Sequence, residues 1–204
     1  MWVIKFGGSL VNSPYLKDWL KVIYKNRDHS FVVVPGGSIF ADQVRRIQKV
    51  LNFDDSVAHE MALHAMEQYG HLLCSMQPGF RPAETLNQIQ YIISDDAVPV
   101  WFPCNMLSGN SVVPASWDVT SDSLALWLTE QLGYKRLLFL KSIIPDRNIF
   151  KADYLSQSGY LDKAFVKMFN SDLVKPVWIS HEQLNMFDTL ISEENNKEIS
   201  YIEQ

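Results

Sequence analysis

The chain has 204 residues, 47% apolar and 20% charged, an ordinary globular balance with room for one domain or two small lobes. Eighteen Lys and Arg against 23 Asp and Glu leave a net charge of −5, which argues against a nucleic-acid binder held by a broad basic surface and against a polybasic membrane anchor. Cys74 and Cys104 are too few for a disulfide scaffold or a Cys-rich metal site. Mean hydropathy is −0.07, and no apolar run approaches the ~18 residues a spanning helix needs.

Met1 to Phe6 is apolar apart from Lys5, but Gly7-Gly8-Ser9 interrupts it before a signal-peptide core can form. The expected compartment is the cytoplasm. Trp2 to Phe6 reads as a buried strand ending at Gly7-Gly8. Ser13-Pro14 has the form of an N-cap with proline at the first helical position, and Leu16, Leu20 and Ile23 follow at helical spacing. Phe31 to Val34 is the next strand, ending at Pro35-Gly36-Gly37. A helix with Val44, Ile47 and Leu51 on one face follows, then a helix from Val57 to Leu73.

Val98 to Phe102 is apolar enough for a strand. Ser121 to Leu132 is a helix striped by Leu124, Ala125, Leu128 and Leu132. Arg136 to Leu140 is another strand, closed by Lys141. Tyr160 to Phe169 is expected to be helical, Val177 to Ile179 a short strand, and His181 to Ile191 a last helix, with a polar, frayed tail from 193 to 204. There is no internal repeat. Such strand–helix alternation predicts an α/β fold, a three-layer αβα sandwich around a mainly parallel sheet. Its ligands should bind at the carboxyl ends of the strands.

Two strands end in Gly-Gly turns, Gly7-Gly8-Ser9 and Gly36-Gly37-Ser38. Glycine takes positive φ freely and lets backbone approach closely. Successive N–H groups there form anion nests, and a helix start adds positive potential. Two tight βα turns would explain the pattern structurally. The second Gly-Gly pair and Lys5 at a strand end favour phosphate. Neither turn is a Walker loop, since no G-x-x-x-x-G-K-[ST] occurs.

Trp117-Asp118-Val119-Thr120-Ser121-Asp122-Ser123 opens a helix. One capping residue explains one of these hydroxyls or acids, but not two Asp four apart. An acid among phosphate-binding lysines can orient them or hold Mg²⁺. Lys141 either snorkels to solvent or completes the set. Together, two lysines, two glycine loops and Asp122 fit phosphoryl transfer, which needs positioning and charge stabilisation.

Lys5-Phe6-Gly7-Gly8-Ser9, Val33-Val34-Pro35-Gly36-Gly37 and Thr120-Ser121-Asp122-x-x-Ala125 resemble the amino-acid kinase superfamily. The order and spacing agree from residue 1 to about 141. The resemblance implies the amino-acid kinase (carbamate kinase-like) fold, ATP with Mg²⁺ as donor and a homodimer or higher homo-oligomer. It implies one kinase domain over 1–204, with an acceptor-binding part to about 135 and a nucleotide-binding part from about 136. Lys5, Asp122 and Lys141 would be catalytic, Gly7, Gly8 and Ser9 would bind ATP phosphates, and Gly36, Gly37 and Ser38 the acceptor. No side chain would ligate Mg²⁺ directly.

His59-x-Met61-Ala62, Ala65-Met66-x-Gln68-Tyr69-Gly70 and Ser116 to Asp122 are similar to the methanofuran-biosynthesis branch of that family. That likeness implies an acceptor that is a phosphate monoester on a small aromatic ring bearing an amine, [5-(aminomethyl)furan-3-yl]methyl phosphate, carried to the diphosphate. Trp117 would face the ring, Asp118 the ammonium, and Thr120 and Ser121 would add hydroxyls. His59 and His64 either line that pocket or pack the helix.

Three features depart from the branch. Leu140-Lys141-Ser142-Ile143-Ile144-Pro145 lacks the acids and glycine of Leu-Lys-Asp-Val-Asp-Gly. Ser38 stands where a third glycine is common. The C-terminal part is expected to be abbreviated, with Ser158-Gly159-Tyr160 in place of a Gly-Gly-Met segment and Lys163 as a substitute lysine. Other acceptors are therefore open, a carboxylate clamped by Arg45, Arg46 or Arg81 among them. So is a catalytically silent, ligand-binding homologue. Nothing in the sequence gives a reason to expect zinc, flavin or haem.

Overall fold

Apolar, β-rich runs at Trp2–Phe6 (β1), Phe31–Pro35 (β2), Val98–Trp101 (β4), Arg136–Lys141 (β5) and Lys175–Ser180 (β6) become strands buried along most of their length, as expected for a parallel sheet covered on both faces. The computed structural model describes residues 1–109, 113–145, 149–192 and 200–204. Phe80–Ala83 (β3) and Ser200–Tyr201 (β7) complete one seven-stranded sheet in the order β3-β4-β2-β1-β5-β6-β7. β1 lies at its centre, in parallel register with β2 (Lys5 opposite Val34) and β5 (Lys5 opposite Phe139). β7 pairs antiparallel with β6.

Helices cover both faces, so the expected αβα sandwich is observed. Leu16–Lys25 (α1) and Phe187–Ser192 (α9) pack on one face against Trp2, Ile4 and Phe6. Ser121–Gln131 (α6), Ala152–Gln157 (α7) and Lys163–Met168 (α8) cover the other face, with Val3, Leu137 and Phe139. Ser38–Leu51 (α2) packs on Asp55–Met76 (α3). Leu86–Ser94 (α4) and Cys104–Leu107 (α5) flank β4. Among the described residues no helix is long and apolar enough to cross a membrane.

Several expectations shift. The first helix starts at Leu16, not Pro14; Ser13 Oγ accepts the Tyr15 N–H, so it caps a turn before the helix. On α2 only Val44 is buried, and Leu51 is 69% exposed, because α2 lies on α3 at the periphery and not on the sheet. The 160–169 helix begins at Lys163, where Asp162 caps it by accepting the Phe165 N–H. The 181–191 helix is a 3-10 turn at Leu184–Met186 followed by α9. The described end of the tail is not frayed: Ile202 is buried and Ser200–Tyr201 forms β7, while residues 193–199 lie outside the described residues. β3 was not expected, since Phe80-Arg81-Pro82-Ala83 is short and holds a proline; at the edge of the sheet the missing N–H is tolerated.

Candidate active site

Side chains alternate along a strand. Val3 and Lys5 therefore face α6, while Trp2, Ile4 and Phe6 face the opposite core. Lys5 thereby meets the first turn of α6. Its Nζ lies 2.8 Å from Asp122 Oδ1, both side chains nearly buried at 6% exposure. Lys141, at the carboxyl end of β5, donates to both Asp122 oxygens at 2.8 Å and to the Tyr160 carbonyl at 2.9 Å. The same ammonium lies 5.6 and 5.5 Å from the ring centres of Phe139 and Trp178. The three residues assigned to transfer from the sequence are thus one cluster.

Burial alone would raise the Asp122 carboxyl, but Lys141 and Lys5 hold it down at about 2. For Lys141, burial is the larger influence, and with Lys5 beside it the ammonium falls to about 8 despite Asp122. Two lysines and one carboxylate leave the cluster with surplus positive charge at the sheet's ligand edge.

The two glycine loops interlock beside it. A Cβ on Gly36 would lie 2.4 Å from Gly8 N, and one on Gly8 would lie 2.4 Å from Ser38 N. A Cβ on Gly7 would meet the Leu140 carbonyl at 2.9 Å. Close approach, not backbone conformation, requires these glycines: none of Gly7, Gly8, Gly36 and Gly37 has positive φ. The left-handed residue is Ser38, at φ 53°, which explains why a glycine would suit that position. The first N–H groups of the Gly8–Asn12 turn and of α2 have no intrahelical partner.

A cleft of about 360 Å³ opens beside these loops. Gly8, Ser9, Gly37, Ser38, Thr120 and Ser121 line it, with Asn12, Asp42, Arg45 and His59 adding polar groups and Leu63, Met66 and Leu124 apolar ones. Among the described residues the buried Ser38 hydroxyl has no hydrogen-bond partner. Ser9 and Ser142 hydroxyls meet at 2.7 Å, joining the first glycine loop to the segment after β5.

Two expected substrate contacts lie outside the cleft lining. Trp117 donates to Gln48 and carries the Arg45 guanidinium 4.5 Å above its ring, so it reaches the cleft through Arg45. Asp118 pairs at 3.1 Å with the exposed Lys163. His59 lines the cleft, whereas His64 does not. Of the three arginines weighed for a carboxylate, Arg45 alone lines it; Arg81 pairs with Asp95 on the surface.

Asp162 was missed from the sequence. It accepts hydrogen bonds from Thr120 N and Oγ1, Ser123 N and Oγ, and Phe165 N, and so caps α6 and α8 together. Burial raises its carboxyl, and the nearby Asp122 adds to the rise. Its sequence signal was an Asp opening a helical run, Asp162-Lys163-Ala164-Phe165. Its reach to α6 had no signal, being 39 residues away.

The family model described as "Amino acid kinase family" matches residues 1–143. The chain is 31% identical over 146 residues to the [5-(aminomethyl)furan-3-yl]methyl phosphate kinase of Methanocaldococcus jannaschii. That match takes in 70% of this chain and 66% of the relative, just under two thirds of its length. Uridylate kinase from Archaeoglobus fulgidus superposes with a TM-score of 0.70 at 15% identity, over 94% of this chain and 96% of the other. The isopentenyl phosphate kinase of T. acidophilum, in its product complex, gives 0.61 at 16% identity over 95% and 97%. The likeness in fold therefore continues past residue 143, where the family's sequence pattern stops. By the sequence match over residues 1–143 and by its fold, the chain belongs to the amino acid kinase family.

Proposed function

We propose that the protein is an ATP-dependent kinase that phosphorylates a small phosphate monoester, with [5-(aminomethyl)furan-3-yl]methyl phosphate as acceptor and its diphosphate as product. The observation that carries this reading is the buried Lys5–Asp122–Lys141 cluster, two cations on one carboxylate beside interlocked glycine loops. An excess of fixed positive charge in a dry site stabilises the charge that develops on a transferring phosphoryl group. The relative of Methanocaldococcus jannaschii supports the acceptor.

ATP with Mg²⁺ supplies the phosphoryl group when bound. Lys5 and Lys141 neutralise that group, and Asp122 keeps both ammoniums aimed at one place. Gly7, Gly8 and Ser9 hold donor phosphates through backbone N–H groups and the Ser9 hydroxyl. Gly36 allows the second loop to close on the first, so that Gly37, Ser38 and Ser121 hold the acceptor phosphate, with Arg45 in the same cleft. Thr120 fixes the α6 start through Asp162. Trp117 steadies Arg45, and Asp118 holds Lys163. Mg²⁺ would enter with the nucleotide and add positive charge to that of Lys5 and Lys141, with no side chain assigned to it as a direct ligand. Residues to about 135 form the acceptor part and those from about 136 the nucleotide part of one domain. Ile47, Val50 and Leu51, exposed along α2, favour a homodimer or larger assembly.

A second reading, a silent ligand-binding homologue, rests on Lys141: all three of its N–H donors are already engaged by Asp122 and Tyr160. Incubation with ATP, Mg²⁺ and the furan phosphate, followed by phosphorus NMR, separates the two. The kinase reading expects a diphosphate signal and one ADP per product. Intact acceptor binding without calorimetric binding of millimolar ATP sinks it. Turnover with a carboxylate in place of the phosphate moves the acceptor, not the chemistry.

A further inference from the structure

Outside the cleft lining, between α3 and the start of α5, three side chains of different donor type converge. His64 Nδ1 lies 3.4 Å from Cys104 Sγ and 3.7 Å from Glu67 Oε2. One ligand atom from each residue falls within 4.8 Å of both others. Zinc bonds of about 2.3 Å to sulfur and about 2.0–2.2 Å to nitrogen and oxygen place tetrahedral ligand atoms roughly 3.3–3.6 Å apart, so both separations from His64 Nδ1 already stand near the required spacing. The other Glu67 oxygen is held by the Cys104 N–H at 2.9 Å. That is the kind of outer bond that fixes a ligating carboxylate.

The alternative chemistry is a nucleophile–base pair. A Cys–His–carboxylate relay engages the two ring nitrogens separately, thiol on one and carboxylate on the other. Here sulfur and carboxylate oxygen both approach Nδ1, the pattern of donors around a shared point. Glu60, one turn earlier on α3, adds negative charge nearby while accepting the Gly109 N–H. Among the described residues neither Glu60 nor Glu67 pairs with a lysine or arginine. His64 is 63% exposed, which leaves an entry path and room for a water as fourth ligand.

We propose that His64, Glu67 and Cys104 bind one zinc-class divalent cation. A mixed S, N, O donor set with three protein ligands selects a borderline-soft metal over Mg²⁺. The bound ion ties α3 to the start of α5. Because Ala62, Leu63 and Met66 of α3 form the cleft wall, the ion stiffens that wall without touching the transfer cluster.

The test uses the full chain, stripped with a chelator and titrated with Co²⁺ in the presence of Mg²⁺. One equivalent is expected, with a thiolate-to-cobalt charge-transfer band that Zn²⁺ abolishes by displacement. Zn²⁺ at a hundredfold excess over its Kd should raise Tm by roughly 5–10 °C. Cys104→Ser should remove the band and weaken Zn²⁺ binding at least tenfold. His64→Ala, at an exposed position, should lose binding while the metal-free protein keeps its Tm. Cys74→Ser should keep the band. Absence of a band in folded wild-type protein, or stoichiometric Zn²⁺ binding retained by both Cys104→Ser and His64→Ala, overturns the proposal.

Discussion

The ligand edge of the sheet is built in two different ways. After β1 and β2 it is made of backbone: Gly8 and Gly36 touch at distances no side chain permits, and the geometry is dictated almost atom by atom. After β5 and β6 it is made of side chains. Trp178 packs against Phe139, Phe150 and Tyr160 and donates to the Ile143 carbonyl, while the Asp162 carboxylate bridges the starts of α6 and α8. The backbone half carries the family's sequence pattern, and the side-chain half keeps the fold without it. A glycine contact has one residue solution, whereas an aromatic cluster has many. Asp122 is the point where the halves meet, taking Lys5 from one and Lys141 from the other.

Removing the joint should cost most. Asp122→Asn leaves two buried ammoniums without a counter-ion, and chemical denaturation should show about 3–5 kcal/mol of lost stability. Lys5→Ala tests the backbone half: kcat should fall about 10²–10³-fold, with the fold intact by circular dichroism. Asp162→Ala tests the side-chain half. With the α6 and α8 starts both uncapped, stability should drop by about 1–3 kcal/mol in urea unfolding.

The pH profile probes the same joint from the Lys141 side. Its ammonium is charged below about 8 and neutral above, so kcat/KM should decline as pH rises through about 8, by up to about tenfold per unit. In the kcat profile the decline should move to higher pH, since bound phosphate favours the charged amine. The smallest effect belongs to the exposed Asp118–Lys163 pair. Lys163→Ala should change stability by less than about 0.5 kcal/mol, and a large loss of activity would show that Lys163 reaches the nucleotide.

Periodicity and composition are local signals, and they revealed most strands, the sandwich and the lysines, acid and glycines that gather at the sheet edge. Lys5, the glycine pairs, Asp122 and Lys141 could be named because each sits at a strand or helix end where a parallel sheet places ligands. The structure adds most where the deciding contact is remote. The stripe of Val44, Ile47 and Leu51 had correct helical spacing, yet α2 lies on α3 and the Gly8–Asn12 turn and not on the sheet. Trp117 and Asp118 were matched to the ring and the ammonium of the acceptor by side-chain chemistry. The fold turned them to Arg45 and Lys163.

The sequence by itself determined the layered α/β architecture, the family and the set of cations and glycines at the sheet edge, since all of these are carried by spacing along one chain. Only the tertiary structure decided which charges share one carboxylate, why glycine is required at positions 8 and 36, and that Asp162 holds the α6 start. It also decided that His64, Glu67 and Cys104 meet. The reason is physical: ion pairs, backbone clashes and ligand sets depend on distances of about 3 Å between groups separated by tens of residues. Spacing along the chain does not encode such distances until the sheet order has brought them about.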